Sequence, residues 1–224
     1  MTNDTLKVAV LGAGRMGQQV LQVIDEATDC QVAGVWSRTT ESELAGLLAG
    51  ADVAIDFTLP EVTREIAGIA AEQRVPLVCG VTGLGVEAEH AIAAATQRIA
   101  LLYDRNMSPG IAVVTTLLRQ AAAALGADYQ AEIRETHHID KKDAPSGTAI
   151  ALREALGDDS IDIESRREGA VIGEHLVRFA SASESIEIGH RVSDRRVFAE
   201  GAVAAARWLP DQPPGLYQMA DIWS

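Results

Sequence analysis

The chain opens on a short apolar run, LKVAVL at residues 6–11, followed by Met16, Val20, Val23 and Ile24 at helical spacing. Short apolar runs bounded by turn residues read as buried strands, and apolar positions three and four apart mark one face of a helix. By these rules residues 6–11 form a strand, 15–27 a helix, 31–36 a strand, 41–49 a short helix and 52–57 a strand. A helix over 60–73 follows, opened by Pro60, which suits a first helical turn. Strands over 76–79 and 99–103 flank a helix over 86–97. Strand–helix alternation of this kind predicts a parallel sheet covered by helices.

After residue 108 the pattern changes. A long apolar helix spans 111–125, and 129–138 (YQAEIRETHH) alternates imperfectly, as a strand does. A helix over 146–156 is followed by strands over 170–180 and 185–191 with no helix between them, hence an antiparallel region. The helical period returns over 197–209. The fold class is α/β, a Rossmann-type parallel-sheet domain with a second α+β domain. Ser108-Pro109-Gly110 marks the first crossing, giving residues 1–108 plus 195–224 as one domain and 109–194 as the other.

Charge narrows the partners. The formal net charge of −13 argues against nucleic acid, whose binding rests on Lys and Arg. The first residues, MTNDTLK, are polar, and no apolar run reads as long enough to span a bilayer, so the expectation is a cytoplasmic protein with no membrane partner. Cys30 and Cys79 are distant and sit beside apolar residues, which predicts buried reduced thiols. No Cys/His spacing points to zinc, and no metal is expected.

Residues 8–17, VAVLGAGRMG, place Gly12, Gly14 and Gly17 directly after a strand and at the opening of a helix. Gly12 permits the tight turn, Gly14 lets the backbone approach a pyrophosphate, and Gly17 permits close helix–strand packing. The next strand ends in Ser37 and Arg38 where an NAD site usually carries an acid. A hydroxyl and a guanidinium suit a 2′-phosphate, so NADPH is favoured over NADH; the alternative is an Arg38 that stays a solvated charge or stacks on adenine. FTLP (57–60) and CGVTGLG (79–85) follow strands on the same sheet edge, where ligands of open parallel sheets sit. Ordinary turn chemistry explains their small residues equally well.

The densest chemistry is ETHHIDKKDAPSGTA at 135–149. His137 and His138 end a strand and face opposite ways. Ser146 is a candidate N-cap of the helix that follows, and Gly147 and Thr148 offer first-turn amides and a hydroxyl. A helix N-terminus beside a lysine is a ready carboxylate site, and a histidine there can move a proton near neutral pH. A small anionic substrate fits this cluster; so does a solvated lysine-rich turn at a strand end.

The same stretch is similar to the signature of the dihydrodipicolinate reductases, also called 4-hydroxy-tetrahydrodipicolinate reductases. VAVLGAGRMG, DFTLPE, GVTGL, RNMSPGIAV, GEHLVRFA, IEIGHRVSDRRVFAEGA and PGLYQMADIW resemble that family in order, through nearly the whole chain. The resemblance implies reduction by NADPH or NADH of a cyclic dicarboxylate on the route to diaminopimelate and lysine, with hydride delivered to ring position C4. It implies His137 as proton donor, Lys141 as its catalytic partner, His138 as a substrate contact, and Ser146, Gly147 and Thr148 as the hold on a substrate carboxylate. For the cofactor it implies Gly12, Arg15, Met16, Arg38, Phe57, Gly80 and Thr82, with Asp104 and Met107 in the DRNMS segment near the nicotinamide. It implies a homotetramer built through the sheet of the second domain.

The chain departs from the family pattern in places. The second helical segment, between Ser37 and Asp52, is abbreviated, and a stretch of loop and strand before GEH is expected to be missing between Leu156 and Gly173. Leu59 stands where many members have a basic residue, Val81 where threonine is typical, and Met107 where phenylalanine is usual. Two other classes share parts of this pattern: a two-domain NAD(P)H dehydrogenase for another small anion, and a non-enzymatic nucleotide sensor. Neither requires the His, Lys and Ser-Gly-Thr combination.

Overall fold

Strands with apolar residues on both faces need helices on both sides of their sheet, whereas alternating strands need cover on one side only. The chain contains both kinds. The computed structural model describes residues 5–39 and 43–223. In chain order the elements are β1 (Leu6–Leu11), α1 (Arg15–Asp25), β2 (Cys30–Trp36), α2 (Leu44–Ala49), β3 (Val53–Asp56), α3 (Pro60–Gln73), β4 (Leu77–Cys79), α4 (Val86–Ala95) and β5 (Ala100–Tyr103). Then come α5 (Pro109–Leu125), β6 (Gln130–His137), α6 (Gly147–Leu156), β7 (Ile163–Arg167), β8 (Gly173–Ala180), β9 (Ser185–Val192), α7 (Arg196–Trp208) and β10 (Gly215–Tyr217). The start expected for the second helix, residue 41, lies outside the described residues.

Two units result, Met1–Met107 with Phe198–Ser224, and Ser108–Val197. The first holds a six-stranded sheet in the order β10-β5-β4-β3-β1-β2, parallel throughout. β1 to β2 runs one way across the sheet and β3 returns to the other side of β1, so a topological switch point lies between β1 and β3. The core of this unit includes Leu11, Leu48, Ile66, Leu77 and Leu101. Cys30 and Cys79 are both buried free thiols.

The second unit holds a four-stranded sheet, β7-β6-β8-β9, in which β6 and β7 are parallel and the other pairs antiparallel. Its inner face packs Ile133, Val177 and Phe179 with Val114 and Leu118 of α5 and Ala149 and Leu152 of α6. The outer face is a ladder of paired charges. Arg134 and Arg166 bridge to Glu164 at 2.7 Å, Arg178 to Glu132 at 3.4 Å, and Arg191 to Glu174 at 3.1 Å.

Two strands and one helix depart from the expectations. The pattern gives no strand between residues 156 and 170, yet β7 lies there, its IESRR sequence lacking apolar alternation because it is an edge strand. β10 was not foreseen at all, being three residues long. And α5 with the turn after it, Pro109–Asp128, is apolar and long enough to cross a membrane by length and composition, with a mean hydropathy of 1.4. Here Val114 and Leu118 are part of the second unit's core instead.

Candidate active site

Gly12, at φ +104°, turns the chain out of β1, and a Cβ there would lie 2.6 Å from the Phe57 carbonyl oxygen. Glycine therefore lets the loops after β1 and β3 meet at the switch point. A Cβ on Gly17 would overlap the Gly12 carbonyl, while one on Gly14 would meet open space. Arg15 and Met16 begin α1, which has no side-chain cap and no acid in its first turn. Unsatisfied first-turn amides above an exposed glycine fit a dinucleotide pyrophosphate.

The other residues expected on the cofactor side fall around this point in the same unit. The Phe57 ring packs so closely on Gly80 that any Cβ there would collide with it. Ser37 Oγ lies 3.0 Å from Thr39 Oγ1. Arg38 is exposed and 3.6 Å from Glu61 at the head of α3. Thr82 and Leu59 are exposed. Asp104 accepts from Asn106 N at 3.1 Å and Met219 N at 3.2 Å, and burial, opposed by these amides, raises its carboxyl. Met107 is buried.

Sequence reasoning missed Asp56 at the end of β3. Its carboxylate is fully buried and accepts from Thr58 N at 2.8 Å, Thr58 Oγ1 at 2.6 Å and Thr63 Oγ1 at 3.2 Å. It thereby pins the loop that meets Gly12. Burial pushes it up to about 6, against the pull of those hydrogen bonds.

In the second unit Glu135 and His137, two apart on β6, share the inner face, and both are buried. His137 Nδ1 donates to Glu135 Oε2. The other oxygen, Oε1, accepts from Arg167 at 3.0 Å and from Ser146 N at 3.3 Å. Arg167 in turn donates to the Lys141 carbonyl at 3.2 Å and to that of Asp143, clamping the loop that carries Lys141. Lys141 Nζ lies 2.8 and 2.9 Å from the two Asp143 carboxylate oxygens. The loop follows β6 directly, and His138 is half-buried just beyond the strand end.

Ser146 caps α6 by accepting from Ala149 N at 3.2 Å, so its hydroxyl is committed to the helix. Gly147 and Thr148 form the first turn. His175 Nε2 lies 3.5 Å from Ser146 Oγ, and its ring centroid is 5.2 Å from that of His137 and 6.3 Å from that of His190. His190 Nε2 reaches Ser108 Oγ, the cap of α5, at 3.2 Å. Glu135, Arg167, His175 and His190 were not singled out from the sequence.

Burial lowers His137, with Glu135 opposing and Lys141 and Arg167 assisting. Burial also drives His175 down to about 3, so it is neutral at working pH. For Glu135, burial raises the carboxyl, but Ser165, Arg167 and the His137 ring outweigh it and hold it low. Glu135, His137 and His175 offer three donor atoms within 4.8 Å of one another. A cation there would face Arg167 and Lys141 and would compete with the Glu135–His137 hydrogen bond, so the set serves its own network better than a metal.

A glycine turn at the switch point of a parallel sheet, joined in one chain to a second unit bearing an acid–base cluster at a helix head, defines a two-domain dinucleotide-dependent oxidoreductase. Residues 6–107 match the family model described as dihydrodipicolinate reductase, N-terminus, and residues 110–223 the one described as dihydrodipicolinate reductase, C-terminus. The chain belongs to this family. It is 40% identical to the 4-hydroxy-tetrahydrodipicolinate reductase of Anaeromyxobacter sp. (strain Fw109-5), over 97% of each chain. It is 39% identical to that of Xanthomonas euvesicatoria pv. vesicatoria (strain 85-10), over 99% of each. The fold is similar to that of dipicolinate-bound dihydrodipicolinate reductase from Paenisporosarcina sp. TG-14, at TM-score 0.82 and 20% identity, over 96% of this chain and 98% of that one.

Proposed function

We infer that the protein reduces 4-hydroxy-tetrahydrodipicolinate to tetrahydrodipicolinate with NADPH or NADH, in diaminopimelate and lysine biosynthesis. The observation that carries this reading is the assembly of His137, Lys141 and the head of α6 around one buried carboxylate. The 4-hydroxyl leaves as water, on the enzyme or before, and a bound nicotinamide would supply the hydride that adds at ring position C4. His137 supplies the proton that completes the addition. Lys141, released from Asp143, holds a substrate carboxylate and balances its charge. The first-turn amides at Gly147 and Thr148 hold a carboxylate as well; Ser146 shapes that turn through its cap, and His138 lines the site.

The unit with the parallel sheet binds the dinucleotide. Gly12, Gly14, Arg15, Met16 and Gly17 hold the pyrophosphate, and Phe57, Gly80, Thr82, Asp104 and Met107 shape the nicotinamide side. Ser37 and Arg38 favour NADPH, since a guanidinium attracts a 2′-phosphate. The working form is a cytoplasmic homotetramer joined through the outer face of the second unit's sheet.

The test is oxidation of NADPH and of NADH by the purified protein with freshly generated product of dihydrodipicolinate synthase. Turnover is expected with at least one cofactor, and none with either overturns the reading. Lys141→Ala is expected to lower turnover by roughly 10²–10⁴-fold while NADPH still binds. A Lys141→Ala enzyme as fast as the parent would remove Lys141 from the mechanism.

A further inference from the structure

We propose that Glu135 is the positioning residue of the active site: it fixes the tautomer and charge of His137 directly, and places Lys141 through Arg167. The inference rests on the reading of His137 as proton donor. An ionised carboxylate only accepts hydrogen bonds, so the atom facing it, Nδ1, must carry a proton. That leaves Nε2 as the atom whose proton can be transferred. The surroundings keep that side clear: Gly173 of β8 sits opposite, and a Cβ there would come within 3.2 Å of His137 Nε2.

The charge balance follows from the same contacts. Around His137 stand Glu135 on its own strand, Arg167 on β7, His175 on β8 and Lys141 on the loop. His175 is neutral, and the two cations disfavour a charged ring, as does burial. Glu135 is the one group among these that stabilises the imidazolium. When His137 gives its Nε2 proton to the substrate, the Nδ1–H remains on Glu135, and the ring ends neutral in a single tautomer. Arg167, anchored on the opposite carboxylate oxygen, holds the Lys141 and Asp143 carbonyls. One carboxylate thus orders both groups of the reaction.

The experiment compares kcat/KM against pH for the parent enzyme, Glu135→Gln and Glu135→Asp, with the NADPH Kd measured alongside. Activity is expected to fall as pH rises, because the proton donor is the charged ring. In Glu135→Gln that limb moves to lower pH, and kcat/KM near neutral pH drops about tenfold or more, one pKa unit being tenfold in protonated fraction. NADPH affinity is unchanged, and Glu135→Asp restores the limb in part. A Glu135→Gln enzyme with the parent's limb overturns the proposal.

Should Glu135→Gln fail to fold, ring ¹⁵N NMR of the parent decides, with His137 assigned from His137→Asn. Nδ1 protonated and Nε2 bare at alkaline pH supports the proposal, and the reverse tautomer overturns it. A fully active His137→Asn would sink the role of His137 itself. An inactive His137→Asn beside an unshifted Glu135→Gln would sink only the inference about Glu135.

Discussion

At the scale of single residues, the proposed preference for NADPH rests on a weakly restrained side chain. Arg38 is well exposed, and Glu61 lies 3.6 Å away. An exposed ion pair of this kind contributes little to stability, so Arg38 can turn toward a 2′-phosphate at small cost. Arg38→Ala is expected to raise the KM for NADPH about tenfold, the scale of one charge-assisted hydrogen bond, and to leave NADH nearly unchanged. Equal losses with both cofactors in steady-state assays would remove the 2′-phosphate argument. Single residues also mark where sequence reading ran out. His137 and Lys141 stood in a dense motif. Glu135 stood in the same motif and was not singled out, although its spacing of two from His137 already puts both on one face. His175 shares an inner face with Val177 and Phe179, and a polar residue at an apolar position of an alternating strand was the available signal.

At the scale of elements, strands and helices with strong periodicity were legible: β1 and α3 have the bounds that the pattern gives. β7 and β10 were not, because edge strands need not be apolar on either face and three residues carry no period. The end of β3 carries a pH dependence. Asp56 is fully buried and raised to about 6, above its ordinary 3.8. A raised folded-state pKa contributes stability that is complete below about pH 4 and is lost as pH rises through 6. Replacing Asp56 by Asn removes that loss. The melting temperature of Asp56→Asn relative to the parent is therefore expected to rise between pH 4 and pH 8, by an amount worth about 2–3 kcal/mol. A difference constant across that range would mean that Asp56 is not buried as a titrating acid.

At the scale of the whole molecule, the second sheet keeps Glu135, His137 and His175 on the inner face and its charge ladder on the outer one. Antiparallel sheets can leave one face to water, yet Leu176 and Gly189 lie side by side among the outer charges, where a partner's surface could pack. Leu176→Arg is expected to split the proposed tetramer into smaller species in native mass spectrometry, while the melting of each subunit is little changed. A Leu176→Arg protein that remains tetrameric would show that the subunits join elsewhere.

The path of the chain has a consequence for how the enzyme is made. β10 pairs with β5 across the length of the whole second unit, and Met219 reaches back to hold Asp104. During synthesis β5 leaves the ribosome with its edge open and waits while residues 108–197 are added. Such distant pairings form late. The second unit, with its own core, can fold on the tunnel side first, and the half that grips the reductant is sealed only after that.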